Sequence, residues 1–364
     1  MLDNHVASKS SRIAKVLKVG ALSLSAAFCL AAATPASAAA AQEDRLQGLI
    51  EPIKAEKPYK IGVTLVHLND DFWKGIAYGI QDEAKRSGVK VVQISVAGAY
   101  GNVREQFAQL NALKSLGVDI AVVGAASFNG YDPVFKEMQK AGIKIVAAGI
   151  PVNSPNVTFG VGQDDASIGV ALAKEVCKAK PDSTVATIPG PAGAEWVRLR
   201  YVGFMDEAKK CPGLKTIPGA YGGDLGLAYG LSQASDLLLK HPEANFIYTP
   251  VISLGMGAAQ AVKQLNRHTQ VVSSAVVKEA IPMIKDGRIL AVVSEPGIIM
   301  GRLIVQYAIR EMEGKAMPNL HTDKSLPYPY VLTPPVLITP ANVDRHPFNI
   351  YEIPPQDWRI DAMQ

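Results

Sequence analysis

Aromatic residues make up only 7% of the 364-residue chain, with three tryptophans and six histidines. Cysteine occurs just three times, which excludes a disulfide-dense scaffold and a cysteine-rich zinc module. After the first 38 residues no run of roughly 18 uninterrupted apolar residues occurs, so no membrane helix is expected there. Charge of one sign is scarce too. The formal net charge is +4, but Lys9, Arg12, Lys15 and Lys18 against Asp3 account for most of it, leaving 33 basic and 32 acidic side chains afterwards. A near-neutral body lacks the concentrated positive charge that nucleic acid requires. Catalytic signatures are missing as well: no glycine-rich loop ends in Gly-Lys-Ser/Thr, and neither His-Glu-x-x-His nor Gly-x-Ser-x-Gly occurs. The scattered histidines offer no metal site. Gly255-Met256-Gly257-Ala258-Ala259-Gln260 lacks the third glycine of a dinucleotide loop, and no acid for a ribose ends the next strand at Ala275-Val276, so those glycines read as a tight turn with close helix packing. The sequence calls for no cofactor and no enzyme.

What is present is a globular composition, 48% hydrophobic and 19% charged. Its start reads as a secretory signal: a basic segment through Lys18, an apolar stretch from Val19 to Ala33, and small residues at Ala36-Ser37-Ala38. The expectation is a soluble exported protein, mature from about Ala39. Cys29 follows Phe28, where a lipoprotein would need a small residue. Export leaves Cys177 and Cys211 where disulfides form. A bridge between them would close a long loop; the alternative is two thiols on neighbouring helices that never meet.

Apolar runs of strand length occur at Tyr59–Val66, Val89–Ser95, Asp119–Gly124, Ile143–Ala148 and Val157–Val161. Helical patterns lie between them at Asp71–Ser87, Asn102–Leu116 and Asp132–Ala141, each ending in a glycine. The alternation restarts with strands at Thr184–Ile188, Phe246–Thr249, Val271–Val276 and Ile289–Ser294. Its helices are expected at Ser167–Ala179, Glu195–Lys210, Leu227–His241, Gly255–Asn266 and Glu279–Asp286, and a last one at Ile298–Glu313. So many units exceed one core, which predicts an α/β fold of two doubly wound parallel-sheet lobes. Eight prolines after Asn319 predict an extended surface tail.

Ligands of open parallel sheets bind beyond the carboxyl ends of the strands. Those loops carry His67-Leu68-Asn69-Asp70-Asp71-Phe72-Trp73, Gly98-Ala99-Tyr100-Gly101-Asn102 and Gly190-Pro191-Ala192-Gly193-Ala194-Glu195-Trp196. Trp73, Tyr100 and Trp196 are therefore expected to converge on a cleft between the lobes, with both tryptophans facing it rather than the core. Phe72 is balanced between ligand contact and packing beneath its helix. Asp70 and Asp71 read most simply as caps of the helix that follows; Asp164 and Asp165 can cap the helix at Ser167, or one of them can face the cleft. His67, at a strand end, reads as a structural histidine more readily than as a cleft residue.

These features resemble the type I periplasmic binding proteins, in their sugar-binding branch. The resemblance rests on the lobe pattern, on Phe72-Trp73, and on Val161-Gly162-Gln163-Asp164-Asp165 and Ile338-Thr339-Pro340-Ala341-Asn342-Val343. On that architecture residues 1–38 are a signal peptide and 39–58 a leader. Residues 59–163 with 296–326 form the N-terminal lobe, 164–295 with 327–345 the C-terminal lobe, and 346–364 a tail. Val66–Trp73, Ala99–Asn102, Gly190–Val197, Gly287-Arg288-Ile289-Leu290 and Gly314-Lys315 look similar to a narrower group, the periplasmic sensors of trimethylamine N-oxide respiration. That resemblance implies a non-enzymatic receptor of a small-molecule ligand, read by a membrane sensor histidine kinase. It carries a ligand role onto Trp73, Tyr100 and Trp196. The oxygen of trimethylamine N-oxide needs a donor, which an indole, the Tyr100 hydroxyl or the Asn69 amide can supply. Sugar-binding relatives place Asp-Arg where this chain has Gly149-Ile150, and a further Asp near Ala275-Val276, which argues against a typical sugar. The chain also departs from the narrower group at Ser273-Ser274-Ala275, where that group tends to be aromatic. The competing expectation is a solute receptor serving an ABC permease.

Overall fold

The computed structural model describes residues 46–322 and 326–360. The expected signal peptide, and its cleavage point, lie outside the described residues. The first lobe runs β1 (Lys60–Leu65), α1 (Asp71–Ser87), β2 (Lys90–Val96), α2 (Val103–Ser115), β3 (Ile120–Val123), α3 (Asp132–Lys140), β4 (Lys144–Gly149) and β5 (Phe159–Gln163). The second continues with α4 (Asp165–Ala179), β6 (Thr184–Thr187), α5 (Glu195–Ala208), β7 (Lys215–Ile217), α6 (Leu227–Lys240), β8 (Phe246–Tyr248), α7 (Ile252–Gln264), β9 (Gln270–Ser274), α8 (Ile281–Lys285) and β10 (Ile289–Ser294). The chain then adds α9 (Gly297–Met312), β11 (Tyr330–Thr333), β12 (Val336–Ile338) and α10 (Phe348–Tyr351).

Two six-stranded sheets result, ordered β11-β5-β4-β3-β1-β2 and β12-β10-β9-β8-β6-β7. All pairings are parallel except β12 with β10, which is antiparallel. The apolar strand runs are explained by helices on both faces. In β3, Ile120 and Val122 join the core under α1 and α9, while Ala121 and Val123 join the core under α2 and α3. In the second lobe Ile247 packs toward α6 and α7, and Phe246 and Tyr248 toward α4 and α5. Helices α1 and α9 lie so close that a Cβ on Gly79 would stand 2.1 Å from the Ile298 carbonyl oxygen. Only glycine permits that approach.

The backbone passes between lobes after β5, after β10 and after β11, and the tail returns to the first lobe after β12. Two expectations need correction. Residues 327–345 were expected in the C-terminal lobe, but β11 pairs with β5 in the first sheet, and only β12 reaches the second. The tail was expected as an extended surface wrap. Instead it folds a helical turn at α10, buries Tyr351 and Glu352, and sends Trp358 back to α1, where its Nε1 donates to Gln81 Oε1 at 3.0 Å. Strands β7, β11 and β12 were not anticipated; all three are short strands at sheet edges, the last two within the proline-rich stretch read as a tail.

Cys177 in α4 and Cys211 just beyond α5 are bridged, with Cα atoms 6.0 Å apart. The bond ties the ends of two helices that pack along their length, closing a loop over a sequence separation of 34. Replacing both cysteines by serine should lower the unfolding free energy by roughly 2–4 kcal/mol, read from urea denaturation of the oxidised protein and the double variant.

Candidate ligand-binding site

The β1–α1 loop sets the first wall. Asp70 adopts an extended conformation and its Oδ1 accepts from Trp73 N at 3.0 Å, so it caps α1 as its sequence position implies. Asp71 lies across the lobe boundary from Lys278, whose backbone N–H donates to its Oδ2 at 3.4 Å. Asn69 is exposed and lines neither cavity described below. Phe72 is half-buried against Gly149, where a Cβ would meet its ring at 3.0 Å.

Trp73 departs from the expectation that it faces the cleft. It is fully buried in the first-lobe core, and its ring lies over Gly124, where a Cβ would stand 2.4 Å from it. The reason is helical spacing: Trp73, Ile76, Ala77, Ile80 and Ala84 form one apolar stripe, of which Trp73 is the first residue. One polar atom escapes the core, since Nε1 donates to the Tyr100 hydroxyl at 3.3 Å. Tyr100, after β2, is thereby held with its hydroxyl inward. Burial raises its pKa, so the phenol stays protonated. His67 abuts both rings edge-on, 5.6 Å from Tyr100 and 6.4 Å from Trp73 between centroids.

Trp196 supplies the opposing wall. It opens α5, is 7% exposed, and its centroid lies 6.5 Å from that of Tyr100. Aromatic rings of the two lobes therefore meet, through Tyr100 rather than through Trp73. Trp196 Nε1 is buried without a hydrogen-bond partner. Around these residues lies a cavity of about 340 Å³, floored by Ala125–Phe128 and Ile150-Pro151 of the first lobe and walled by Pro191–Trp196 and Leu225 of the second. A neighbouring cavity of about 660 Å³ shares Phe128, Ile150, Pro151 and Glu195 with it. It extends beside the hinge to Asp164 and Arg198. Asp164 caps α4, accepting from Ser167 N at 3.0 Å, and also borders this second space. Arg198 forms a rim pair with Glu195 at 2.6 Å.

Behind Trp196 lies a group that sequence reasoning missed. The Arg200 guanidinium sits 4.6 Å from the Trp196 ring centroid and is itself buried. It bonds Asp165 Oδ1 at 2.8 Å, Pro250 O at 2.9 Å, Ser274 Oγ at 2.6 Å and the Glu295 carboxylate. Gln163 Nε2 donates to Glu295 Oε2 at 3.0 Å, joining the end of β5 to the end of β10. Burial raises Asp165 to about 6 despite Arg200, with the negative charge of Glu295 adding to the rise. Glu295 could have been found, since it directly follows a strand. Arg200 gave no such signal, because an arginine on a helix is usually a solvated residue. Among the described residues no group of three His, Cys, Asp or Glu side chains is arranged to hold a metal, and no helix is long and apolar enough to cross a membrane.

Two α/β lobes joined by repeated crossings of the chain, with an aromatic-walled gap at their strand ends, define a two-lobed ligand receptor. Residues 61–316 match the periplasmic binding protein domain, and the chain belongs to that family of binding proteins rather than to an enzyme family. The family works in the periplasm. A solved structure from Bordetella parapertussis, named as the substrate-binding protein of a sugar ABC transport system, is 54% identical; the match covers 87% of this chain and 100% of that one, with a TM-score of 0.84. Periplasmic protein TorT of Escherichia coli is 25% identical over 301 residues, covering 81% of this chain and 82% of TorT. Ribose import binding protein RbsB of Bacillus subtilis is 24% identical over 261 residues, covering 71% of this chain and 84% of RbsB.

Two outcomes follow from this geometry. Trp73→Ala should cost about 3–5 kcal/mol of stability by emptying the core beside Gly124, read from denaturant unfolding. Asp165 binds its proton more tightly folded than unfolded, so its contribution to stability is complete below the unfolded value near 3.8 and is lost as pH rises through about 6. Unfolding free energy measured between pH 4 and 7 should therefore show a falling component that Asp165→Asn removes.

Proposed function

We propose that this chain is a periplasmic receptor for a small solute bearing a methylated or protonated nitrogen, trimethylamine N-oxide or a relative of it. On this reading the ligand sits between Tyr100 and Trp196, and a membrane sensor histidine kinase reads the closed lobes. The observation that carries the reading is the meeting of those two rings, one from each lobe, beside an indole N–H that has no partner. Aromatic faces attract an ammonium-type group by roughly 0.5–2 kcal/mol each, according to how far it is desolvated. Trp196 Nε1 and the Tyr100 hydroxyl are donors for a ligand oxygen. Trp73 then acts behind the site, orienting Tyr100 through its indole N–H. Asp164 borders the neighbouring cavity, while Phe72, Asn69 and Asp70 lie at the β1–α1 turn outside both cavities; they complete the proposed set as outer residues that lobe closure would bring to the ligand. The likeness to TorT supports the signalling part, since the loops that hold Tyr100 and Trp196 are among the stretches that look similar.

A second reading, the solute-binding subunit of an ABC importer, draws support from the 54% identity to the Bordetella parapertussis protein named for such a system. The two readings share the cleft and differ in the membrane partner. Reconstitution separates them: a receptor for a kinase changes that kinase's autophosphorylation when loaded, whereas an importer subunit stimulates a permease-bound ATPase.

The ligand reading is tested by calorimetry on the purified protein with trimethylamine N-oxide, glycine betaine and ribose. Trp196→Ala and Tyr100→Ala should each weaken binding of the methylated ligands by about 10-fold or more, a loss of at least ~1.4 kcal/mol. Unchanged affinity in both variants, or tight binding of ribose alone, would overturn it. Ligand should also compact the protein in small-angle scattering, as lobe closure requires.

A further inference from the structure

The charged groups behind the walls of the proposed site are unbalanced, although none of them lines the smaller cavity itself. Arg200 is the guanidinium at its back, and it faces two buried carboxylates, Asp165 and Glu295, whose side chains are 3% and 6% exposed. Asp70 adds a third carboxylate from the opposite lobe. It reaches the site through His67, which stands 3.9 Å from its carboxylate and 5.6 Å from the Tyr100 ring, and its side chain is 43% exposed. The rim does not compensate, because Arg198 is taken up by Glu195 and Lys278 approaches Asp71 only through its backbone N–H. His67 stands 3.9 Å from Asp70 and, when protonated, offsets one carboxylate of the three.

Two orphaned polar atoms point to an occupant. Trp196 Nε1, in a residue 7% exposed that lines the cavity, has no acceptor. Gln163 Oε1, in a residue that lines the neighbouring cavity, has no donor, because its amide nitrogen is committed to Glu295 and Asp165. In a low-dielectric pocket an uncompensated negative charge favours a cation strongly, and the benefit falls steeply for a molecule of no net charge.

Resting on the receptor reading above, we propose that the ligand carries a net positive charge together with an oxygen acceptor, as in a quaternary or protonated amino alcohol, rather than the net-neutral charge of an amine oxide or a sugar. The Asp70, Asp165 and Glu295 carboxylates supply the potential that selects the charge. Trp196 Nε1 donates to the ligand oxygen. Tyr100 and Trp196 enclose the nitrogen.

The test compares three probes on the wild-type protein by calorimetry: choline, its uncharged carbon isostere 3,3-dimethylbutan-1-ol, and trimethylamine N-oxide. Choline should bind at least roughly 10-fold more tightly than either of the others, and the preference should shrink as salt is raised. In Glu295→Gln, which keeps the side chain's shape and an oxygen for Arg200, the advantage of choline over the isostere should fall several-fold. Equal binding of choline and the isostere overturns the proposal, as does trimethylamine N-oxide binding more tightly than choline; in the latter case the methylated-nitrogen reading survives. If none of the three binds and ribose does, the receptor reading itself falls and this inference with it. Should Glu295→Gln fail to fold, the wild-type series decides alone.

Discussion

One buried guanidinium organises the hinge end of the second lobe, and a single amide ties it to the first. Arg200 projects from α5 toward the hinge and gathers Asp165, which starts α4, and Glu295, which ends β10. Gln163, at the end of β5, completes the group through Glu295. Two of the chain crossings, after β5 and after β10, therefore meet at a single charged cluster. A buried charge of this kind is costly unless each partner is present, so the cluster tolerates few arrangements of the crossing strands. The Trp196 ring lies on the outer face of the same guanidinium. Contact at the cleft and geometry at the hinge are thus only one side chain apart.

The aromatic elements divide their labour by depth. Trp73 is part of the core and acts on the cleft through one nitrogen; Tyr100 is the ring it orients; Trp196 is the ring that Tyr100 meets. A gap built this way needs no aromatic residue at Ser273-Ser274-Ala275. The Ser274 hydroxyl instead accepts from Arg200 and donates to the Pro250 carbonyl, exchanging a wall for support of the charged cluster. The second cavity beside the hinge adds both polar groups, Gln163, Asp164 and Arg198, and further rings, Tyr328 and Tyr330.

Much of this was legible from local pattern. The helix from Asp71 to Ser87 has the boundaries its capping aspartate and terminal glycine imply, and nine strands fall where apolar runs of suitable length occur. The loops that carry Tyr100 and Trp196 were legible for the same reason, since sheet topology assigns ligand loops to strand ends. The three short strands were not, and neither was the return of Trp358 to α1. Each depends on a partner outside its own stretch of chain: β7 on β6, β12 on β10, and, more than a hundred residues away, Tyr330 on Gly160 and Trp358 on Gln81.

The sequence by itself determined the alternation of strand and helix, the need for two cores, the caps and the loops at the strand ends, because each is set by interactions within a few residues. Only the tertiary structure decided which tryptophan faces the gap and what charge lies behind it. Trp73 and Trp196 both follow a strand and open a helix, and their difference arises from the partners brought to them: Gly124 leaves room for one ring in the core, and Arg200 holds the other at the cleft. Arg200 and Glu295 stand 95 residues apart and carry no local mark of their pairing. Burial and charge compensation belong to the assembled protein, and no window of sequence contains them.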